Sequence, residues 1–184
     1  MDAIEAIRTR RSFRRYEPVP VDRGIIAEII ADAACAPWTP LSAPEPWAFN
    51  IFEGTDRIAA FGDRALAYAS ANRPQIAGYE WADRPDFSVF HGAPAMIVIS
   101  GKTTNPLALE EATRAGQNLS ISAHARGLGS CWVGSPILWL RDPAVQAELG
   151  IPEGFTPYAA FALGHPLPSP PAPTRLAPVR TVWG

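Results

Sequence analysis

The segment Gly127-Leu-Gly-Ser-Cys-Trp-Val-Gly134 separates two fold classes that the rest of the sequence would allow. Its glycines suggest a dinucleotide-binding loop, but their spacing is G-x-G-x-x-x-x-G, whereas the Rossmann motif is G-x-G-x-x-G. The segment also follows a helical stretch, while the Rossmann motif follows a strand. We therefore exclude a Rossmann fold. Two interpretations stay open: a helix C-cap that turns into a strand, or small residues whose backbone N–H groups can approach a flat ligand closely.

Predicted helices and strands are intermixed along the chain. Apolar residues at helical spacing predict helices at about 2–10, 22–36, 56–71, 107–126 and 142–149. Apolar, aromatic and β-branched runs predict strands at 47–52, 95–100, 130–133 and 158–163. Asp2 and Asp22 are the predicted N-caps of the first two helices. The helices are long enough to cover a sheet, which indicates an α+β or α/β sandwich, and a chain of 184 residues is expected to form a single domain over 1–184.

Two segments are rich in proline. Four prolines lie between Pro37 and Pro46, so we expect a loop from Trp38 to Pro46. Six of the thirteen residues from Pro166 to Pro178 are also proline. We expect the tail 165–184 to be extended, and residues 166–178 alone to reach roughly 40 Å, across this domain or onto a partner.

Five arginines lie within a stretch of eight residues near the N-terminus: Arg8, Arg10, Arg11, Arg14 and Arg15. The whole chain has a formal net charge of −2, so the remainder is acidic and no nucleic-acid surface is expected. Guanidinium groups suit phosphate or carboxylate, and Ser12 adds a hydroxyl, so the run predicts a site for a small anion. A solvated basic face at a helix C-terminus is the alternative.

Other residue patterns exclude several function classes. The two cysteines, Cys35 and Cys131, lie far apart without a C-x-x-C, which argues against a disulfide framework or zinc site and fits a reducing cytosol. The sequence shows no signal peptide and no run of about 18 apolar residues, so we expect a cytoplasmic protein without a membrane span. The three histidines do not converge on a catalytic pattern, and hydrolase or metalloenzyme motifs are not found.

Four blocks, in this order, resemble the FMN-dependent nitroreductase family. They are R-R-S-F-R-R-Y at 10–16 followed by P-V-P; Ala33–Pro37 with Pro46–Phe49; Gly127–Gly134 after a long helix; and Ala162–Pro166 with the proline-rich stretch to Arg175. The resemblance implies an α+β fold with a mixed central sheet flanked by helices. It also implies an obligate homodimer with two FMN molecules at the subunit interface, in which the C-terminal extension is exchanged and wraps the partner.

The resemblance implies roles for particular residues. Arg10, Ser12 and Arg175 match residues that hold the FMN phosphate, with Arg11 alongside, and Arg14 matches a basic residue at the pyrimidine edge of the flavin. The segment formed by Trp132, Val133 and Gly134 matches backbone that lies on the isoalloxazine and donates a hydrogen bond near N5. The family needs no catalytic acid or base, because the chemistry takes place on the flavin, and no metal is implied.

The family's usual reaction is a ping-pong cycle in which NADH or NADPH reduces FMN and a small-molecule acceptor, such as a nitroaromatic or a quinone, takes the electrons. Reductive dehalogenation or enone reduction on the same fold with the same cofactor is one alternative. A non-enzymatic module that binds flavin, nucleotide or an anionic polymer through the arginine run is a less favoured one.

The loop Trp38–Trp47 departs from the family pattern A-P-S-x-x-N-x-Q-P-W. Trp38 replaces the serine, Ala43 the asparagine and Glu45 the glutamine, and the loop carries two extra residues. The serine and asparagine normally contact the flavin, so we expect Ser42 to restore part of that contact. The altered loop is also the reason to keep the alternative substrates open.

Overall fold

Helices and strands lie close to the positions that the sequence predicts. The computed structural model describes residues 1–72, 80–84, 86–168, 175–177 and 180. Its α-helices are α1 (Ala3–Thr9), α2 (Arg23–Ala33), α3 (Thr55–Asn72), α4 (Ala108–Ala125), α5 (Ile137–Leu140) and α6 (Pro143–Glu148). Its strands are β1 (Trp47–Glu53), β2 (Ala95–Lys102), β3 (Gly129–Trp132) and β4 (Phe155–Gly164). Two 3₁₀ turns, Pro40–Ser42 and Glu80–Asp83, and the short helix α5 were not predicted.

The helix ends follow from local side-chain chemistry. Asp2 and Asp22 cap α1 and α2 as expected, with carboxylate oxygens that accept from the amides of Glu5 at 2.9 Å and Ile25 at 3.1 Å. The longest predicted helix, α4, ends just before Gly127, whose φ of 77° lies in the left-handed region. The C-cap interpretation of this glycine is therefore confirmed.

The four strands form one sheet in the order β1-β2-β4-β3, and each neighbouring pair is antiparallel. The parallel component expected of a mixed sheet is present in the described residues only as the isolated bridge between Ser12 and Ser130. Strand direction could not be deduced from the sequence, because an alternation of helices and strands is also typical of parallel sheets. The sheet and its flanking helices give the α+β architecture that was predicted.

Helices cover both faces of the sheet, and β2 contributes to the two resulting cores in alternation. Met96 and Val98 point into the core that contains α3 and α5, while Ala95, Ile97 and Ile99 point into the core that contains α2 and α4. All five side chains are buried. Since successive strand residues face opposite sides, this continuous apolar run is the expected signature of a strand covered on both faces.

The beginning of the C-terminal tail lies against the N-terminal segment. Tyr16 forms an antiparallel bridge with Pro166, and the amide of Leu167 donates to the carbonyl of Arg15 at 3.1 Å. The remainder of the predicted extension, at 169–174, 178–179 and 181–184, is outside the described residues, so its exchange with a partner stays a prediction. None of the described helices combines the length and apolar character needed to cross a membrane.

Candidate functional site

The first and third sequence blocks lie side by side. Ser12 pairs in parallel with Ser130, and the amide of Phe13 donates to the carbonyl of Ser130 at 3.0 Å. The approach requires a glycine at position 129, because a Cβ there would stand 2.9 Å from the Cβ of Phe13. Ser12 and Phe13 therefore line the outer edge of β3, and the candidate site is built between the arginine segment and the glycine segment.

Arg10 and Arg175 meet at one end of this edge. A guanidinium nitrogen of Arg175 donates to the backbone carbonyl of Arg10. Burial, followed by the neighbouring charge of Arg175, lowers the pKa of the Arg10 guanidinium. The Nε of Arg10 is buried, and the described residues offer it no hydrogen-bond partner. Two adjacent cations and an orphaned donor form a place where a bound anion would be stabilised.

Arg11, Ser12 and Arg14 lie farther along the segment in different surroundings. The guanidinium of Arg11 lies over the ring of Phe13, 5.7 Å from its centroid, so its surroundings differ from those of Arg10. Arg14 is exposed, and its charge acts on Tyr16, His91 and Cys131. Positive charge thus extends from the Arg10 end of the segment to its Arg14 end.

Buried titratable groups lie beneath this segment. Burial raises the pKa of the Cys131 thiol, against smaller opposing effects of the charge of Arg14 and a hydrogen bond from Ser12. Burial also raises the pKa of Tyr16, whose hydroxyl donates to the carbonyl of Phe13 at 2.8 Å. Burial and the charge of Arg14 lower the pKa of His91. At neutral pH these groups are uncharged, so Arg14 has no anionic neighbour among them.

Trp132, Val133 and Gly134 have three different orientations. Trp132 is 38% exposed and lies against Phe161, with ring centroids 5.4 Å apart. Val133 is buried, and its amide donates to the carbonyl of Ala160 at 2.8 Å, so this N–H belongs to the sheet. Gly134 is exposed, and a Cβ at this position would meet no described atom within 4 Å. The open surface for a flat ligand is therefore at Trp132 and Gly134.

Ser42 lies elsewhere, in a buried polar cluster at the start of α4. Its hydroxyl donates to Oε2 of Glu111 at 2.6 Å and accepts from Nδ2 of Asn105 at 2.6 Å. The amide of Thr39 donates to Oε1 of Glu111 at 2.7 Å. Burial opposes ionisation of Glu111, but the hydrogen bonds from Ser42, Thr39 and Asn105 outweigh it and lower the pKa of the carboxyl.

Within one chain, Ser42 and the arginine segment are far apart. Ser42 is bonded to Glu111 in the first turns of α4, while Thr9, next to Arg10, is bonded to His124 in its last turn. These positions are separated by roughly 20 Å along the helix axis. Inside a single chain Ser42 therefore does not lie beside the arginines, and its hydroxyl serves the loop, while its expected contact with the flavin stays a prediction.

Three residues of these clusters were not identified from the sequence: Asn105, Glu111 and His124. A glutamate in the first turn of a helix is common for reasons of the helix dipole, so Glu111 gives no distinctive signal. His124 was assigned to the interior of a helix, and only the packing of α1 against α4 reveals its contact with Thr9. Such long-range contacts leave no local pattern in the sequence.

Comparison with known proteins identifies the family of this chain. The model of the nitroreductase family matches residues 7–165. The chain belongs to the nitroreductase family. A putative NADH dehydrogenase/NAD(P)H nitroreductase of Methanothermobacter thermautotrophicus is 27% identical over 176 residues, which cover 92% of this chain and 80% of that protein.

Solved structures of similar fold extend over nearly the whole chain. A nitroreductase with bound FMN from Bacteroides fragilis has a TM-score of 0.85 at 23% identity, with full coverage of both chains. An iodotyrosine deiodinase bound to FMN and 3-iodo-L-tyrosine has a TM-score of 0.75 at 20% identity, covering 97% of this chain and 98% of that chain. At these identities the two structures establish the nitroreductase-like fold.

Proposed function

We propose that this member of the nitroreductase family is an FMN-dependent oxidoreductase that uses NADH or NADPH to reduce nitroaromatics, quinones or similar electrophiles in a ping-pong cycle. Family membership, the NAD(P)H nitroreductase relative and the FMN-bound structure of similar fold support the proposal. The observation that carries it is the pair Arg10–Arg175 with its orphaned buried donor, at the start of the segment that pairs with β3, the strand that leads into the exposed Gly134.

The dimensions of the edge suit a flavin mononucleotide. Arg10 and Arg14 are four residues apart, so their Cα atoms are at most roughly 14 Å apart in extended chain. Phosphate, ribityl chain and ring together can span a distance of this order, with the phosphate at Arg10, Ser12 and Arg175 and the ring beside Arg14 and Trp132. Arg11 contributes positive charge alongside. The orphaned Nε of Arg10 then gains a charged acceptor, which supports the fit.

Once bound, FMN would supply the hydride and electron transfer that the protein itself lacks the groups to perform. Arg14 places a positive charge where negative charge develops on the pyrimidine edge of a reduced flavin, and it thereby favours the reduced state. Gly134 keeps the surface beside the ring free of side-chain atoms, so that backbone can approach it closely. The exposed Trp132 indole supplies an apolar wall next to this surface.

We also propose a homodimer in which the Ser42 loop of one chain completes the site of the other. The separation of roughly 20 Å within a chain supports this arrangement, because the loop and the arginines can meet only across two copies. Large exposed apolar side chains support an interface: Ile4 and Ile7 on α1, Trp38 and Leu41 on the loop, and Leu109 on α4. We expect the enzyme to act in the cytoplasm.

A flavin spectrum followed by anaerobic reduction tests the proposed function. Purified protein should be yellow, release FMN on denaturation and lose its flavin absorbance when NADH or NADPH is added without oxygen. Reoxidation by a nitroaromatic or quinone, with kinetics in which the acceptor binds after the nicotinamide leaves, would complete the cycle. A colourless protein that takes up no added FMN would contradict the proposal.

The altered loop motivates a second candidate, reductive dehalogenation or enone reduction with the same cofactor. Trp38, which stands where the family has serine, is 44% exposed and offers an aromatic surface to a substrate ring. The reduced protein should then turn over halophenols or enones faster than nitro compounds. Steady turnover of nitro compounds and quinones, with none of halophenols or enones, would reject this candidate.

A further inference from the structure

The end of α1 is bonded to the end of α4 directly beside Arg10. Oγ1 of Thr9 lies 2.8 Å from Nε2 of His124, and the same hydroxyl donates its proton to the carbonyl of Glu5 at 2.7 Å. Because a hydroxyl has a single proton, Nε2 of His124 carries the hydrogen of the Thr9–His124 bond and donates it to Thr9. Nδ1 of His124 is therefore the ring atom that can take up another proton.

Charged groups surround His124 on two sides. From the side of α1, Arg10 opposes a second proton on the imidazole and Glu5 favours it. On the side of α2, Arg126 at the C-cap of α4 is paired with Glu28 at 3.1 Å and Asp32 at 2.8 Å. Burial, followed by the charge of Arg10, outweighs Glu5 and lowers the pKa of His124. Arg175 adds further positive charge just beyond Arg10.

We propose that His124 is a member of the anion site formed by Arg10 and Arg175, and that it takes up a proton when the phosphate of FMN binds there. This inference rests on the proposed function. A phosphate against Arg10 offsets the charge that repels a proton from the imidazole, so binding favours the protonated ring. By linkage, the protonated ring must strengthen phosphate binding by the same factor.

A histidine titration by NMR tests proton uptake directly. The chain has three histidines, and a His124→Gln variant identifies the resonance of His124. Free protein, the FMN complex and the riboflavin complex are titrated in parallel, since riboflavin has the ring but no phosphate. The pKa of His124 should rise by roughly one unit with FMN and stay at the free value with riboflavin.

The possible results distinguish this inference from the proposed function. Equal pKa values of His124 in the FMN and riboflavin complexes would overturn the role of His124 while leaving flavin binding intact. A protein that binds neither flavin would overturn both the proposed function and this inference. The titration itself is made on the natural chain, and the His124→Gln variant serves only to assign the resonance.

The pH dependence of FMN affinity gives a second measurement, by quenching of flavin fluorescence. Glutamine at position 124 can still donate to Thr9 but cannot take up a proton, so it preserves position and removes titration. As the pH falls, the FMN affinity of the wild-type protein should rise relative to that of His124→Gln, until it is roughly tenfold higher. The second ionisation of the phosphate, near pH ~6, affects both proteins and cancels in this ratio.

The matched control is His165→Gln, the same substitution outside α4. This variant should keep the wild-type pH dependence of FMN affinity. If the ratio of wild-type FMN affinity to His124→Gln FMN affinity stays constant across the pH range, proton uptake by His124 is contradicted. If the ratio of wild-type affinity to His165→Gln affinity changes with pH to the same extent, the effect belongs to something other than the anion site.

Discussion

At the scale of single residues, Arg10 has surroundings that suit a bound anion better than an empty site. Its Nε is buried with no described partner, and both burial and Arg175 lower its pKa. A phosphate would supply the missing acceptor and offset the repulsion between the two guanidinium groups. The folded chain thus keeps an unfavourable arrangement that binding would relieve.

Replacing Arg10 by alanine should weaken FMN affinity by roughly 10- to 100-fold, because one charged hydrogen bond of about 1.5–3 kcal/mol is lost. Titration of the free protein with FMN measures the effect. Arg8→Ala is the control, since Arg8 is exposed in the last turn of α1 and has no assigned role in the site. Equal losses of affinity in both variants would indicate a diffuse electrostatic effect and remove Arg10 from the site.

Glu111 is the other residue whose surroundings are unusual, a fully buried carboxylate that fixes a loop. It holds Thr39 and Ser42 through hydrogen bonds of 2.7 and 2.6 Å, and these bonds favour its ionised form. Because its pKa is lowered in the folded state, its contribution to stability is present above the unfolded value of about 4.5 and is lost as the pH falls through the folded value.

We expect Glu111→Gln to lower the free energy of unfolding at neutral pH by about 1–3 kcal/mol and to reduce the loss of stability in acid. Urea denaturation at pH ~7 and at pH ~4 measures both effects. Glu110→Gln is the matched control, an exposed neighbour in the same helix turn. A variant whose acid sensitivity equals that of the wild type would show that other carboxylates set the pH dependence.

At the scale of elements, the sequence predicted most helices and strands because their patterns are local. Apolar residues at helical spacing place α1 to α4 and α6 within a few residues of their observed bounds, and apolar, aromatic and β-branched runs do the same for all four strands. The helix Ile137–Leu140 was missed because one turn is too short to show a period. Strand direction was also inaccessible, since each ladder joins residues that are far apart in the sequence.

The candidate site was predictable to the same degree, and for related reasons. The family resemblance predicted that Arg10 and Arg175 come together, and the structure has this contact; that they and Ser12 hold the FMN phosphate stays a prediction. The donors to Glu111 and the contact of His124 with Thr9 depend on tertiary packing alone. The bond of the Ser42 hydroxyl to Glu111 was likewise not predictable, because the two residues lie 69 positions apart in the sequence.

Replacement by alanine is expected to have different effects on stability at two glycines, Gly116 and Gly134. Gly116 lies in α4 where a Cβ would be 2.6 Å from the ring of buried Phe161, whereas a Cβ at Gly134 meets no described atom within 4 Å. Gly116→Ala should therefore lower the free energy of unfolding by about 1–3 kcal/mol, since overpacking outweighs the gain of up to ~1 kcal/mol in helix propensity. Thermal or urea denaturation measures this change.

Gly134→Ala should leave the stability of the free protein within roughly 0.5 kcal/mol and weaken flavin binding instead. The added methyl group would occupy the surface on which we place the flavin ring. FMN titration and denaturation of both alanine variants separate the two effects. Wild-type FMN affinity in Gly134→Ala would show that this surface does not receive the flavin.

At the scale of the whole molecule, a single chain presents apolar side chains that a second copy would cover. Ile4 and Ile7 share one side of α1 and are 56% and 50% exposed, although the helix buries Ala6 on its other side. The helical spacing of Ile4 and Ile7 does not reveal that this face lies outside the core of the chain. Residues reserved for an interface follow the same periodicity as core residues, so the sequence cannot tell them apart.

We expect Ile4→Glu combined with Ile7→Glu to convert the proposed dimer to monomers and to weaken FMN binding, because each site would lose the loop of the partner. Sedimentation velocity gives the oligomeric state, and flavin titration the affinity. The control is Val19→Glu, at another exposed apolar position outside α1. A monomeric variant that binds FMN like the wild type would show that the loop of the partner is not needed.

The double-sided burial of β2 has a consequence for the way the molecule opens. Both apolar cores draw side chains from β2, as they also do from its neighbour β4, so neither core can separate from the sheet without exposing side chains that belong to the other. Local fluctuations would therefore spare β2 while they open the edges of the sheet. Its amide hydrogens should exchange with solvent deuterium only through global unfolding, and their protection should report the stability of the entire domain.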